Sequence, residues 1–176
     1  MQIRSAEPGD LEACNNLNHS YTTSRVWQMD TRGENGSLAA TFRVARLPRE
    51  ARVNYPFWGE HRLASWRRRD GFLVAEGHDG ILGYVTLTAY TEHGIAWIGD
   101  LIVDQPHRRS GIGTALLRAA ADWGREHKLA RLVAAVQTKN YPASQFYQSR
   151  GLTFCGYIDR YWPSQDIALF FGESLR

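Results

Sequence analysis

Cysteine is almost absent: Cys14 and Cys155 are the only two in 176 residues, and no Cys-x-x-Cys pair occurs. That excludes a disulfide framework or a zinc knuckle and leaves two reduced core thiols as the expectation. No apolar run approaches the roughly 20 residues that cross a bilayer. The opening MQIRSAEPGD turns polar at once, without the apolar segment of a secretory signal. A soluble, cytoplasmic protein without a membrane partner is the expectation. None of the six histidines has a spacing such as His-Glu-x-x-His, so no metal is expected. A large charge excess is missing too: 21 Lys plus Arg stand against 18 Asp plus Glu, a formal net of +3. Nucleic-acid binders concentrate basic residues on one face or element. Here the local clusters are Arg67, Arg68 and Arg69, read as the solvated end of a helix, and Arg108 and Arg109, which sit in a glycine motif. No nucleic-acid partner is expected; a phosphorylated small ligand needs only a few such charges.

Hydrophobic residues make up 43% of the chain and aromatics 12%, enough for one core, so residues 1–176 are read as one domain. Ile3 and Arg4 suggest a short first strand, and Asp10 reads as the N-cap of a helix carrying Leu11, Cys14 and Leu17. Residues 20–37 give no clear period; a loop, a mobile helix or plain packing all fit them. Residues 38–47 alternate like a strand that Pro48 interrupts, and 56–70 read as a helix with Phe57, Leu63 and Trp66 turned inward. Strands follow at 72–77 and 81–90, joined by a turn at Asp79 and Gly80, and at 94–104. An amphipathic helix over 111–127, a strand over 131–137 and a helix over 142–150, stopped by Gly151, come next. Strands near 153–161 and 166–171 close the chain. This α/β order calls for a mixed sheet with helices on both faces.

The segment VDQPHRRSGIGTALL, 103–117, carries the first chemical signal. A strand ends, a proline turn follows, and a helix begins at the glycines. Amides at a helix start have no intrahelical partners. Gly111 and Gly113 remove side chains that would block close approach. The positive end of the helix adds to the attraction, so the segment forms a cradle for phosphate, naturally a pyrophosphate, with Arg108 or Arg109 adding charge. It is neither Gly-x-Gly-x-x-Gly nor a P-loop, since 111–116 read GIGTAL.

Residues 103–113 resemble the acyl-CoA motif of the Gcn5-related N-acetyltransferase superfamily, Arg/Gln-x-x-Gly-x-Gly/Ala, filled here by Arg108, Gly111 and Gly113. NYPASQFYQSRGL, 140–152, resembles its second block, with Asn140, Ala143, Phe146, Tyr147 and Gly151 in place and Leu152 at the final aromatic position. The resemblance covers about 73–171 well and leaves 21–70 as the variable substrate side. GDLIVD, VQTKNYPASQFYQSRGL and CGYIDRYW…DIALFF look narrower still, like streptothricin acetyltransferases. The strand of those enzymes commonly reads Glu-Asp where this chain has Gly99 and Asp100.

The resemblance implies an acyl-CoA N-acyltransferase fold with a mostly antiparallel central sheet, acetyl-CoA as cofactor, and transfer of its acetyl group to an amine. The amides of Arg108, Arg109, Ser110, Gly111, Ile112, Gly113 and Thr114 would grip the pyrophosphate. The strands at 95–103 and 131–137 would splay, so that Leu101, Ile102 and Val103 meet the acetyl carbonyl and the extended arm, which bonds to the strand edge as an added strand would. Asn140 and Ser144 would lie along that arm, or satisfy local helix-start amides instead, and Phe146 belongs to the same block. An ammonium must lose a proton before it attacks a thioester, and the departing thiolate benefits from one. Tyr147 is the implied acid. Asp100 is the candidate base or cation anchor, with Glu92 and His93 as alternatives. Tyr21, Trp27, Tyr55, Trp58, Tyr161 and Trp162 are candidates for an aromatic acceptor pocket. A small-molecule amine is the favoured acceptor; a protein or peptide amine, or a CoA-binding module without turnover, stays open. Aromatic strand edges and the resemblance admit a homodimer.

Overall fold

The computed structural model describes residues 1–54 and 69–176. The helix expected over 56–70 therefore falls almost wholly outside the described residues, as do Tyr55 and Trp58. The described elements run β1 (Gln2–Ser5), α1 (Asp10–Asn16), β2 (Tyr21–Glu34), β3 (Ser37–Val53), β4 (Gly71–Gly77), β5 (Gly80–Tyr90) and β6 (Ile95–Val103). They continue α2 (Ile112–Glu126), β7 (Arg131–Gln137), α3 (Tyr141–Ser149), β8 (Thr153–Ile158) and β9 (Ala168–Ser174). Short 3-10 turns at Thr91–His93 and Gln105–His107 flank β6.

Seven strands form one sheet in the order β1-β4-β5-β6-β7-β9-β8. Every neighbouring pair is antiparallel except β6 and β7, which run parallel. A right-handed crossover is the usual way to join such a parallel pair, and α2 is the element between them. Its period places Ile112, Leu116, Leu117, Ala120, Ala121 and Trp123 in the main core with Val85, Leu87, Ala96, Ile98 and Leu132. Each large side chain fully buried there contributes about 1.5–3 kcal/mol. The opposite face of the sheet is covered by α1, whose Cys14, with nearby Leu17, packs on Val74, Tyr84 and Ile102. Helices thus lie on both faces.

Four local readings are revised. Asp10 is the first residue of α1 rather than its cap: Gly9 takes the cap position without a side-chain bond. The Asp10 carboxylate accepts from the Glu7 amide at 2.7 Å and from the Arg4 guanidinium at 2.6 and 2.9 Å. Cys14 is buried as expected, but Cys155 lies exposed on β8. Residues 20–37, which gave no period, belong to a long two-stranded ribbon in which β2 pairs antiparallel with β3. Asn35 and Gly36 make its turn, both at positive φ (51° and 79°), the backbone of a tight hairpin. Pro48 does not end β3: Thr23 faces Ala51 and Arg25 faces Arg46, so 47–50 bulge opposite Ser24. A bulge is where a strand tolerates a residue without an N–H.

Candidate functional site

The strand β6 builds the centre of the site by leaving its neighbour. Its pairing with β7 runs from Ile95 opposite Arg131 to Ile98 opposite Ala134 and stops there. On the other side β6 stays paired with β5 through Val103 opposite Gly83. The backbone of Gly99, Asp100, Leu101, Ile102 and Val103 therefore has one edge with no strand beside it among the described residues. Backbone groups along a strand edge are obligatory hydrogen-bonding groups, and an extended chain fits such an edge; at its far end Val103 O accepts from Arg108 Nε.

A bulge sits where the two strands part. Thr86 faces Asp100 and Leu87 faces Ile98, so Gly99 is the extra residue. It changes the phase of the strand. Ala96 and Ile98 pack under α2, whereas beyond the bulge Ile102 packs on the α1 side and Leu101 and Val103 join the α2 side. Asp100 is buried. Its amide donates to Thr86 Oγ1 at 2.9 Å, and that hydroxyl donates to Asp100 Oδ2 at 3.2 Å. Thr86 thus fixes the carboxylate, a role with no signal in the sequence, because only the register of β5 against β6 reveals it.

Below the end of β6 lies the glycine turn. Gly111 stands at the N-cap of α2 with φ 92° and ψ −10°, and no side chain caps that helix start. By contrast, α3 is capped by Asn140, whose Oδ1 accepts from the Ala143 amide at 3.2 Å. A side chain at Gly111 would project into open space, whereas one at Gly113 would meet the Phe146 ring at 3.4 Å. Phe146 therefore floors the turn. Arg109, also at positive φ (66°), and Ser110 are exposed around it. The uncapped amides and the positive helix end suit an anion. A groove of about 420 Å³ leads away from Thr114 along α2 past Arg118 to Ser149 and Arg150.

Arg108 behaves differently from the charged ligand contact expected of it. Its Nε donates to Val103 O at 2.9 Å, Nη1 to Ser20 O at 2.8 Å and Nη2 to Asn18 O at 2.7 Å. Burial lowers its pKa, opposed by the charge of Asp104. The guanidinium clamps the loop after α1 onto the end of β6 and leaves its own amide in the turn. Asn140 serves its helix start, one of the two roles open to it. Ser144 is fully enclosed: it donates to Tyr141 O at 2.8 Å and accepts from Trp27 Nε1 at 2.9 Å. It holds the ribbon rather than lying along an open arm, and that corrects the expectation for it. Trp27 is accordingly a docking residue, its amide donating to Thr138 O at 2.9 Å.

Tyr147, on α3, is buried between these parts. Desolvation first, and then the negative charge of Asp100, hold its phenol well above the usual tyrosine range. The hydroxyl is therefore protonated at neutral pH and stands within the electrostatic reach of Asp100. Glu92 and His93 are exposed at the opposite end of β6, where it is still paired with β7, and so drop out of the site. Tyr21 Oη donates to Gln137 Oε1 at 3.3 Å, and Gln137 donates to Asp166 at 2.9 Å. Tyr161 and Trp162 lie edge to face, with centroids 4.9 Å apart.

The geometry has clear counterparts among known proteins. The model of the acetyltransferase (GNAT) family matches residues 38–152. The chain is 34% identical over 160 residues to a streptothricin acetyltransferase of Streptomyces lavendulae, covering 88% of this chain and 82% of that one. The crystal structure of a nourseothricin acetyltransferase superposes with a TM-score of 0.87 at 25% identity, over 99% of this chain and 98% of the other. A candidate streptothricin acetyltransferase of Bacillus anthracis, solved with acetyl coenzyme A, shares the fold with a TM-score of 0.78 at 20% identity, over 98% of both chains.

Proposed function

This chain belongs to the acetyltransferase (GNAT) family and is an acetyl-CoA-dependent N-acetyltransferase, and from that premise we propose that it acetylates a primary amine of a small molecule by direct attack in a ternary complex. The observation that carries this reading is the meeting of a helix start without a side-chain cap with the stretch of β6 that runs on past its last β7 pair, Ile98 opposite Ala134. The first accepts a pyrophosphate and the second an extended amide-bearing arm. The small-molecule class is supported by the acceptor named for the S. lavendulae relative, streptothricin.

In this reading the amides from Arg109 to Thr114 hold the pyrophosphate, Arg108 keeps their loop in place, and the edge of Leu101, Ile102 and Val103 takes the arm. Bound there, acetyl-CoA supplies an acetyl thioester. Tyr147 holds a proton at Oη for the leaving sulfur. Asp100, oriented by Thr86, attracts the incoming ammonium and takes its proton directly or through water.

The test is acetyl-CoA-dependent thiol release across streptothricin, aminoglycosides, polyamines, amino acids and short peptides, with products identified by mass. The expected result is saturable acetylation of a small amine, with intersecting double-reciprocal lines. Acetylation of peptides alone would remove the small-molecule reading. Parallel lines would remove direct attack.

A further inference from the structure

Arg69 does not end in solvent as its place in the sequence suggests. Arg69 is part-buried, and its Nη1 lies 2.7 Å from where a side chain on Gly99 would begin. The guanidinium thus occupies the space over the bulge, beside the Thr86 hydroxyl that fixes Asp100. The φ of Gly99 is not in the left-handed region, so contact rather than backbone strain is what the missing side chain relieves.

Among the described residues the partners of Arg69 are few. Nη1 reaches Thr88 Oγ1 at 3.4 Å, at the long limit of a hydrogen bond, and no carboxylate pairs with it among the described residues. Other part-buried arginines differ. Arg108 makes three carbonyl bonds of 2.7–2.9 Å, and Arg4 pairs with Asp10 and Glu76. A guanidinium has five donors in a fixed fork that matches a carboxylate; holding Thr88 at 3.4 Å uses little of that capacity. Beside it runs an aromatic wall. Trp97 meets Tyr90 at 6.2 Å and Phe170 at 5.4 Å between centroids, and Phe170 meets Tyr161 at 5.8 Å. The positive charge of Arg69 reaches the Tyr161 phenol.

We infer that Arg69 is a specificity-determining residue that selects an acceptor amine carrying a carboxylate on an apolar frame. The inference rests on the small-molecule acetyl transfer proposed above. Asp100 draws the ammonium end, Arg69 the carboxylate, and the aromatic wall the carbon frame between and beside them. A polycation without an anionic group gains from Asp100 and loses to Arg69.

Matched acceptors that differ by one carboxylate test this: L-phenylalanine against 2-phenylethylamine and L-lysine against 1,5-diaminopentane, with streptothricin alongside. Wild-type enzyme is expected to favour the carboxylate-bearing member in kcat/KM by about 10-fold or more, the size of one charge-assisted contact. Arg69→Gln should erase that ratio mainly through KM, and Arg69→Lys should restore part of it. Gly99→Glu, which hands Arg69 a carboxylate of its own, should turn the preference toward the plain amines without removing a side chain. Acetylation with no carboxylate preference, or one unchanged in both Arg69→Gln and Gly99→Glu, overturns the inference and leaves the small-molecule reading standing. Acetylation of streptothricin alone does the same. No small amine acetylated, with acetyl-CoA shown to bind by calorimetry, overturns both.

Discussion

A buried phenol beside a buried carboxylate is an unusual use of two polar groups, since each loses hydration. Tyr147 is enclosed, and both the loss of water and the charge of Asp100 favour its neutral form. A group held protonated in this way is suited to give a proton where negative charge develops, and poorly suited to take one. Replacing the hydroxyl by hydrogen keeps the ring in its packing. Tyr147→Phe is therefore expected to lower kcat by about 100-fold, the usual scale of a positioned general acid, while acetyl-CoA affinity and melting temperature stay near wild type. Presteady-state thiol release and calorimetry separate the two effects; an unchanged chemical step would remove the acid role. The position of Tyr147 was legible because its helix carries a spaced motif. The roles of Arg108 and Arg69 were not. Arg108 binds carbonyls of Asn18 and Ser20, far back in the chain, and a carbonyl is the same in every residue. Arg69 gains its meaning from Gly99, and only the strand register brings those two together.

At the scale of elements, the glycine turn shows how little side-chain chemistry an anion cradle requires. Gly111 has φ 92° with open space around it, so its importance is in the backbone and not in packing. Gly111→Ala is expected to cost about 1 kcal/mol of stability, the usual penalty where φ is positive. It should also raise the KM for acetyl-CoA through the displaced amides, with kcat at saturation preserved. Denaturant titration and initial rates at varied acetyl-CoA check the two parts. The same element view explains which strands could be read. In β6 burial alternates, and β4 and β5 are apolar runs between glycines, so each stands out. The ribbon was readable by half: residues 38–47 alternate and lie in β3, although all of that strand is exposed or half-exposed, whereas 20–37 give no period, as happens where neither face is sealed. The bulge at 47–50 then makes Pro48 compatible with a strand it would otherwise end.

For the molecule as a whole, the titrating groups that folding perturbs divide into two sets with opposite signs. Burial raises Tyr147 and Tyr21, the latter with help from the charge of Asp166. A raised folded pKa contributes stability below the unfolded value, lost as pH rises beyond it toward the folded one. For tyrosine that loss begins near pH 10. Arg4 lowers Asp10 and Glu76 through hydrogen bonds. A lowered folded pKa contributes stability above the unfolded value, lost as pH falls through about 4 and below. Glu173 is raised by burial and works against the acid set, so the acid limb is shallower than Asp10 and Glu76 alone would make it. Stability should therefore be level across neutral pH and fall on both sides. Thermal melting from pH 3 to pH 11 measures it directly. A double replacement, Tyr21→Phe with Tyr147→Phe, should flatten the alkaline limb and leave the acid limb in place. Arg4→Gln should do the reverse. An alkaline limb that survives the double replacement would mean that these two phenols do not set it.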